Sequence, residues 1–208
     1  MGEQLLKVLI DNIPRSDNTK EMLKSLQKAS KFVKNHLQNK YPKKIFLFSP
    51  EFLTELSAYE DFTKPDMQIL GVPYQGYEYA SKVMLMLPPS PVMRIVSLID
   101  AEWVKKVRNS FYAMKVVFFN QIYDVVSQVG GDYETIRSIV IEDPKVGNSH
   151  SLPFHKGGRG AGGACLPKDL NSLVDFIDHH GLGSPLLEKV RDLNEWYLKS
   201  YPKTYKSV

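Results

Sequence analysis

Residues 100–128 read DAEWVKKVRNSFYAMKVVFFNQIYDVVSQ, a run of 29 positions without a glycine or a proline. Asp100 is of the residue type that caps a helix, and Glu102 suits a first turn beside the positive end of the helix dipole. Gly130-Gly131 supplies the stop. At 1.5 Å per residue the predicted helix is about 40 Å long. Trp103, Val104, Val107, Phe111, Met114, Val117, Phe118, Ile122, Val125 and Val129 spread its apolar surface over more than one narrow stripe. A helix of that kind is covered on several sides. In a chain of 208 residues it is the centre of a domain, part of a subunit interface, or both.

The residues before this helix have a different rhythm. Short apolar runs at 5–10, 44–49, 67–70 and 93–98 alternate with helical spacing at 20–37 and 77–87, which is α/β organisation. The near-continuous run Lys44–Ser49, closed by Pro50, reads as the clearest strand. No glycine-rich turn follows an early strand, so the phosphate-binding unit with which a dinucleotide-binding sheet opens is missing. After the long helix the spacing predicts helices over 133–142, 169–179 and 185–201. The expected organisation is an α/β segment over 1–99 and a helical domain over 100–208.

A second stretch carries the chemistry. Gly157–Asp169, GGRGAGGACLPKD, holds five of the chain's 13 glycines and its only cysteine. Glycines in that density cost chain entropy and allow a backbone to wrap closely around a ligand. Pro167 suits the first turn of a helix starting near Lys168, which sets Cys165 just before a helix N-terminus, where free N–H groups favour an anion. A nucleophilic thiol and a buried structural cysteine beside a flexible loop both fit these residues. Lys105 and Asn109 lie four apart among apolar neighbours, and Asn120 falls eleven further on, on roughly the same side. They read either as a polar pocket beneath the glycine loop or, for Lys105, as a snorkelling or paired lysine. Glu51 and Glu55, four apart, read by themselves as a solvated surface.

Composition narrows the function classes. A net charge of +4 with scattered basic residues gives no footprint for nucleic acid. One cysteine and five histidines without ligand spacing give no metal site. No apolar run is long enough to span a membrane, and the N-terminus lacks a signal-peptide pattern. These features fit a cytoplasmic protein.

Four motifs, in order and at compatible separations, resemble the UDP-glucose/GDP-mannose 6-dehydrogenase family. Gly160–Asp169 is similar to its G-x-G-G-x-C-x-x-K-D loop. Ala101, Glu102, Lys105, Asn109, Ala113, Lys115 and Asn120 match its central-helix pattern. Pro50–Glu55 matches P-E-F-L-x-E, and Asp143–Gly147 resembles D-P-R-I-G. The resemblance implies a partial Rossmann-like sheet followed by a helical central domain built on one long helix. It also implies a chain that starts after the NAD-binding fingerprint and ends where the family's UDP-binding domain begins. The family oxidises a sugar-nucleotide C6 alcohol to a carboxylate with NAD. By residue match, Cys165 is the thiol that takes up the aldehyde. Lys105 and Asp169 handle oxyanion and proton, Asn109 holds the sugar or a water, and Glu51 is the base for thioester hydrolysis. Phe52, Leu53, Glu55, Lys145, Gly157, Gly160, Gly162 and Gly163 are assigned to the substrate, and Lys168 to the cofactor. Lys145 stands where the family has an arginine, and a lysine does not reproduce a bidentate guanidinium. The implied protein is a homodimer that acts on a UDP-sugar, with a separate chain to supply the NAD-binding domain, since NAD binding by this chain alone is expected to be weak or absent. The alternative is a non-catalytic sugar-nucleotide-binding or protein-interaction relic.

Overall fold

The computed structural model describes residues 41, 44–53, 57–155 and 158–200. The strand expected over 5–10, the helix over 20–37, and Glu55 and Gly157 lie outside these residues. The chain divides into two compact units, one up to Lys105 and one from Lys106 onward.

In the first unit, helix α1 (Ala58–Thr63) precedes strand β1 (Met67–Val72), a short 3-10 turn at Tyr74–Gly76, helix α2 (Tyr77–Met84) and strand β2 (Val92–Ser97). β1 and β2 pair in parallel, Met67 opposite Val92 through Val72 opposite Ser97, with α2 in the crossover. Leu70 and Val72 bury one face of β1 against Ala80 and Met84 of α2, and Leu47, Val83, Leu87 and Met93 complete that cluster. The strand expected over 44–49 does not form. Only Phe48 pairs, exchanging both backbone hydrogen bonds with Gly71 (2.8 and 2.7 Å). The apolar residues there satisfy burial instead, Phe46 being in the core. The segment Glu51–Leu53 is not helical, so no helix face forms there.

Gly71 is where β1 meets the start of the long helix α3 (Leu98–Gln128). A Cβ at Gly71 would lie 2.7 Å from the Ala101 Cβ and 3.3 Å from the Phe48 carbonyl oxygen, closer than such atoms pack. The helix starts two residues earlier than the sequence predicts. Ser97 Oγ accepts the Asp100 backbone N–H (3.1 Å) and donates to the Asp100 carboxylate (2.7 Å). Ser97 is therefore the cap, and Asp100 lies in the first turn as the acceptor of the Ser97 hydroxyl. At the other end Gly130 (φ +75°) and the Gly131 N–H bonded to the Val126 carbonyl (2.9 Å) close the helix in a Schellman arrangement.

The second unit adds helices α4 (Tyr133–Val140), α5 (Cys165–His179) and α6 (Pro185–Ser200). Ala113, Val116 and Val117 of α3, Ala161 of the glycine loop, Leu170 and Val174 of α5, and Val190 and Tyr197 of α6 form one buried cluster. A second cluster joins Phe119, Val126 and Tyr133. The α/β-plus-α reading is thus borne out: a parallel strand pair with its crossover helix, then helices assembled on one long helix. Among the described residues no helix is long and apolar enough to cross a membrane, and no group of metal-ligating side chains forms.

Candidate functional site

Helix α5 begins at Cys165 itself, earlier than the sequence predicts. Pro167 is its third residue, still among the four positions whose N–H has no helical partner, so the proline costs nothing there. Cys165 is exposed on that first turn. Gly160 (φ +81°) and Gly163 (φ +77°) place the preceding loop in backbone space that a side chain would resist. Gly160 is buried, Gly162 half-buried and Gly163 exposed.

One turn into α5, Asp169 is buried, and the Asn109 Nδ2 group of α3 donates to its Oδ2 at 2.6 Å. Lys168 Nζ lies 3.9 Å from the other oxygen and is half-exposed. A second rung runs parallel: Lys106 Nζ, also buried, donates to Ser172 Oγ at 3.1 Å. Positions 106 and 109 on α3 therefore face 169 and 172 on α5, each pair three apart, as adjacent turns of two helices in contact require. Sequence reading missed Lys106. Its only signal was a lysine at a position whose helical neighbours are core.

In the first unit, Lys105 Nζ pairs with Glu51 Oε1 at 3.5 Å. The acid that the sequence read alone as solvated surface thus has a cationic partner, and Lys105 is neither isolated nor merely snorkelling. Phe52 is half-buried and Leu53 exposed. Lys145 is exposed in a turn whose backbone is tightly held. Asp143 Oδ1 accepts the Lys145 N–H (2.9 Å), and Lys115 Nζ donates to the carbonyls of Val146 (2.7 Å) and Gly147 (2.9 Å). The conformation of that turn is therefore tied to α3, and burial pushes the Lys115 ammonium below its usual range.

Asn120 serves a different purpose from the pocket with Asn109 that its spacing suggested. Its Oδ1 accepts from Arg159 Nε (2.9 Å), a residue that the sequence reading passed over between two glycines. A cleft of about 520 Å³, lined by Tyr123, Tyr133, Leu152, Phe154, Asp132 and Glu134, contains none of the sequence-assigned residues. It carries acids and no cation, the wrong charge for a nucleotide phosphate.

His150 adopts φ +63° and stacks on Tyr112 with ring centroids 4.1 Å apart. Its Nδ1 is buried without a hydrogen-bond partner. Burial lowers its pKa from 6.5, and the charges of Lys115, Arg108 and His155 add to the effect. Lowering favours the neutral ring in the folded state, so below about pH 6.5 the unfolded chain binds the extra proton first and stability falls with pH. Asparagine tolerates positive φ and does not titrate. Thermal melts at pH 7.5 and 5.5 are expected to show the parent losing roughly 2 °C or more beyond the loss in His150→Asn. Equal losses would mean that His150 contributes nothing to the acid sensitivity.

Residues 99–196 match the central-domain model of the UDP-glucose/GDP-mannose dehydrogenase family. UDP-glucose 6-dehydrogenase of Rickettsia felis is 33% identical over 149 residues, covering 71% of this chain and 32% of the relative. UDP-glucose 6-dehydrogenase TuaD of Bacillus subtilis is 30% identical over 94% of this chain and 40% of the relative. A UDP-glucose dehydrogenase structure from Pyrobaculum islandicum aligns with a TM-score of 0.63 at 31% identity, over 73% of this chain and 34% of that one. A UDP-D-ManNAc dehydrogenase from Pyrococcus horikoshii, at 19% identity and TM-score 0.66, shares the fold. The chain spans about a third of the length of the Rickettsia relative.

Proposed function

We propose that this chain is part of a UDP-glucose or related sugar-nucleotide 6-dehydrogenase, in which Cys165 forms the covalent adduct with the C6 aldehyde. The observation that supports this most is the exposed Cys165 on the first turn of α5, with Asp169 held by Asn109 one turn behind it. In the adduct step the Cys165 sulfur adds to the aldehyde carbon. A C–S bond forms, the carbonyl π pair moves onto oxygen, and that oxygen takes a proton to give a thiohemiacetal. Free N–H groups at the helix start and the nearby Lys168 are suited to the developing negative charge. Asp169 receives the proton role and Asn109 orients it. Glu51, in its pair with Lys105, is assigned the base role in hydrolysis of the thioester. Phe52, Leu53, Gly160, Gly162 and Gly163 are assigned to the sugar nucleotide, and Lys145 to its outer contacts.

The oxidations need an electron acceptor, which in this family is NAD. The described residues do not fit it. The connection from the end of β1 to α2, Gly71-Val72-Pro73-Tyr74-Gln75-Gly76, is not a glycine-rich phosphate turn, and Gly71 and Gly76 are both buried. Weak or absent NAD binding by these residues alone is expected. The same observation favours the second reading, a sugar-nucleotide-binding protein without turnover. Exposed apolar residues along α3 support a homodimer, and a cytoplasmic location accords with the absence of membrane-spanning helices among the described residues.

UDP-glucose is expected to slow the alkylation of Cys165 by iodoacetamide, read by mass spectrometry, with glucose alone having no effect. An alkylation rate unchanged at millimolar UDP-glucose would remove both the catalytic and the binding reading.

A further inference from the structure

We propose that Arg159 is the positioning residue of the cysteine loop, a buried clamp that sets where Cys165 enters α5. The inference rests on the reading of Cys165 as the reacting thiol. Arg159 is 2% exposed although it sits in a loop between two glycines. Its guanidinium donates in a fork: Nε to Asn120 Oδ1 (2.9 Å), Nη2 to the Asn120 carbonyl (2.7 Å), and Nη1 to Asp124 Oδ1 (2.6 Å). Tyr197, Tyr123 and Phe154 lie around it, with ring centroids 4.6, 5.1 and 5.6 Å from the guanidinium carbon. A charge this deep is tolerable only with such compensation, and removing one partner leaves the others stranded.

The clamp continues into the backbone of the loop. Asn120 Nδ2 donates to the Val116 carbonyl (2.8 Å), which turns Oδ1 toward Arg159 and, at 3.4 Å, toward the Gly160 N–H. Asn194 of α6 takes the next residue on both sides: Oδ1 accepts the Ala161 N–H (2.6 Å) and Nδ2 donates to the Ala161 carbonyl (3.0 Å). Tyr197 Oη donates to the second oxygen of Asp124 (2.8 Å), which joins α6 to α3 at the same point. A Cβ at Gly160 would lie 3.1 Å from Asn194 Oδ1 and from the Tyr197 Cβ, so the loop passes there without room to shift. Only Gly162, Gly163 and Ala164 separate this anchored stretch from Cys165. Two glycines alone would leave the thiol free to wander. Fixing Ala161 on one side and Asp169 on the other holds the first turn of α5 between two anchors. Arg159 takes no part in bond making. A lysine cannot replace it, because one ammonium does not reproduce the forked donation of Nε, Nη1 and Nη2 to their three acceptors.

The test uses Arg159→Lys and Asn194→Ala, the second removing both Ala161 bonds and no charge. In protein with parental circular dichroism, amide exchange over 158–165 is expected to rise roughly tenfold or more, with the middle of α3 unchanged. The alkylation rate of Cys165 is expected to change by roughly threefold or more in the same variants. Should Arg159→Lys not fold, Asp124→Asn, which takes the charge from the Nη1 partner of Arg159, replaces it and decides. Exchange and alkylation both within about twofold of the parent would reduce the cluster to core packing. A loosened loop with an unchanged Cys165 rate would equally overturn the positioning role. Neither readout involves a sugar nucleotide, so a failure of UDP-glucose to protect Cys165 would sink the substrate reading and leave these results standing.

Discussion

Phe118→Asp is expected to split a dimer of this chain into monomers. Val107, Phe111, Phe118 and Val125 are each more than half exposed and follow one another at spacings of four, seven and seven along α3. Spacings of that kind keep a stripe on one side of a helix, while Ala113, Val116, Val117 and Asn120 are buried on the other. Such a stripe on a helix this long is what a second copy of the same helix would cover. In a two-fold dimer each residue counts twice, so one substitution buries two carboxylates in an apolar seam. A weakening of about a thousandfold, some 4 kcal/mol, is expected. Light scattering should give twice 23.7 kDa for the parent at micromolar concentration and the single mass for the variant. A parent that runs at the single mass would exclude the dimer.

Asn109→Leu is expected to destabilise the chain by about 3 kcal/mol, because it leaves the buried Asp169 carboxylate without its 2.6 Å donor. Lys168 does not compensate, being 3.9 Å away and half-exposed. The double change Asn109→Leu/Asp169→Leu removes the orphaned acceptor and is expected to recover much of the loss. Urea unfolding of the parent, both singles and the double closes the cycle. Additive losses would show that the two side chains are not coupled, and with that the support for Asn109 as the group that orients Asp169.

The contrast between these residues and Arg159 shows what a sequence discloses. The long helix was legible because its signals are local: an apolar periodicity, no glycine or proline, and Gly130-Gly131 at its end. β1 and β2 were legible for the same reason, to within two residues. Lys44–Ser49 misled because an apolar run specifies burial, whereas a strand needs a partner, and only Phe48 finds one in Gly71. Lys105, Asn109 and Cys165 were found because polar residues on an apolar helix and a cysteine after glycines are unusual in themselves, whereas Asp169 entered only through the resemblance to a known family. Arg159 carries no such mark. A charged residue in a glycine loop reads as solvated, and its burial depends on Asn120 and Asp124, 39 and 35 residues away, and on Tyr197. The pairing of Glu51 with Lys105 was hidden by a still longer separation in sequence.

The central claim, that Cys165 takes up a sugar-nucleotide aldehyde, needs no oxidant for its test. UDP-glucose C6 aldehyde labelled with carbon-13 at C6 is mixed with the parent chain and with Cys165→Ser, and the C6 resonance is followed. The parent is expected to move part of the signal from the hydrated aldehyde to a thiohemiacetal carbon in proportion to protein, and Cys165→Ser to leave it in place. Identical spectra for the two proteins would contradict the account.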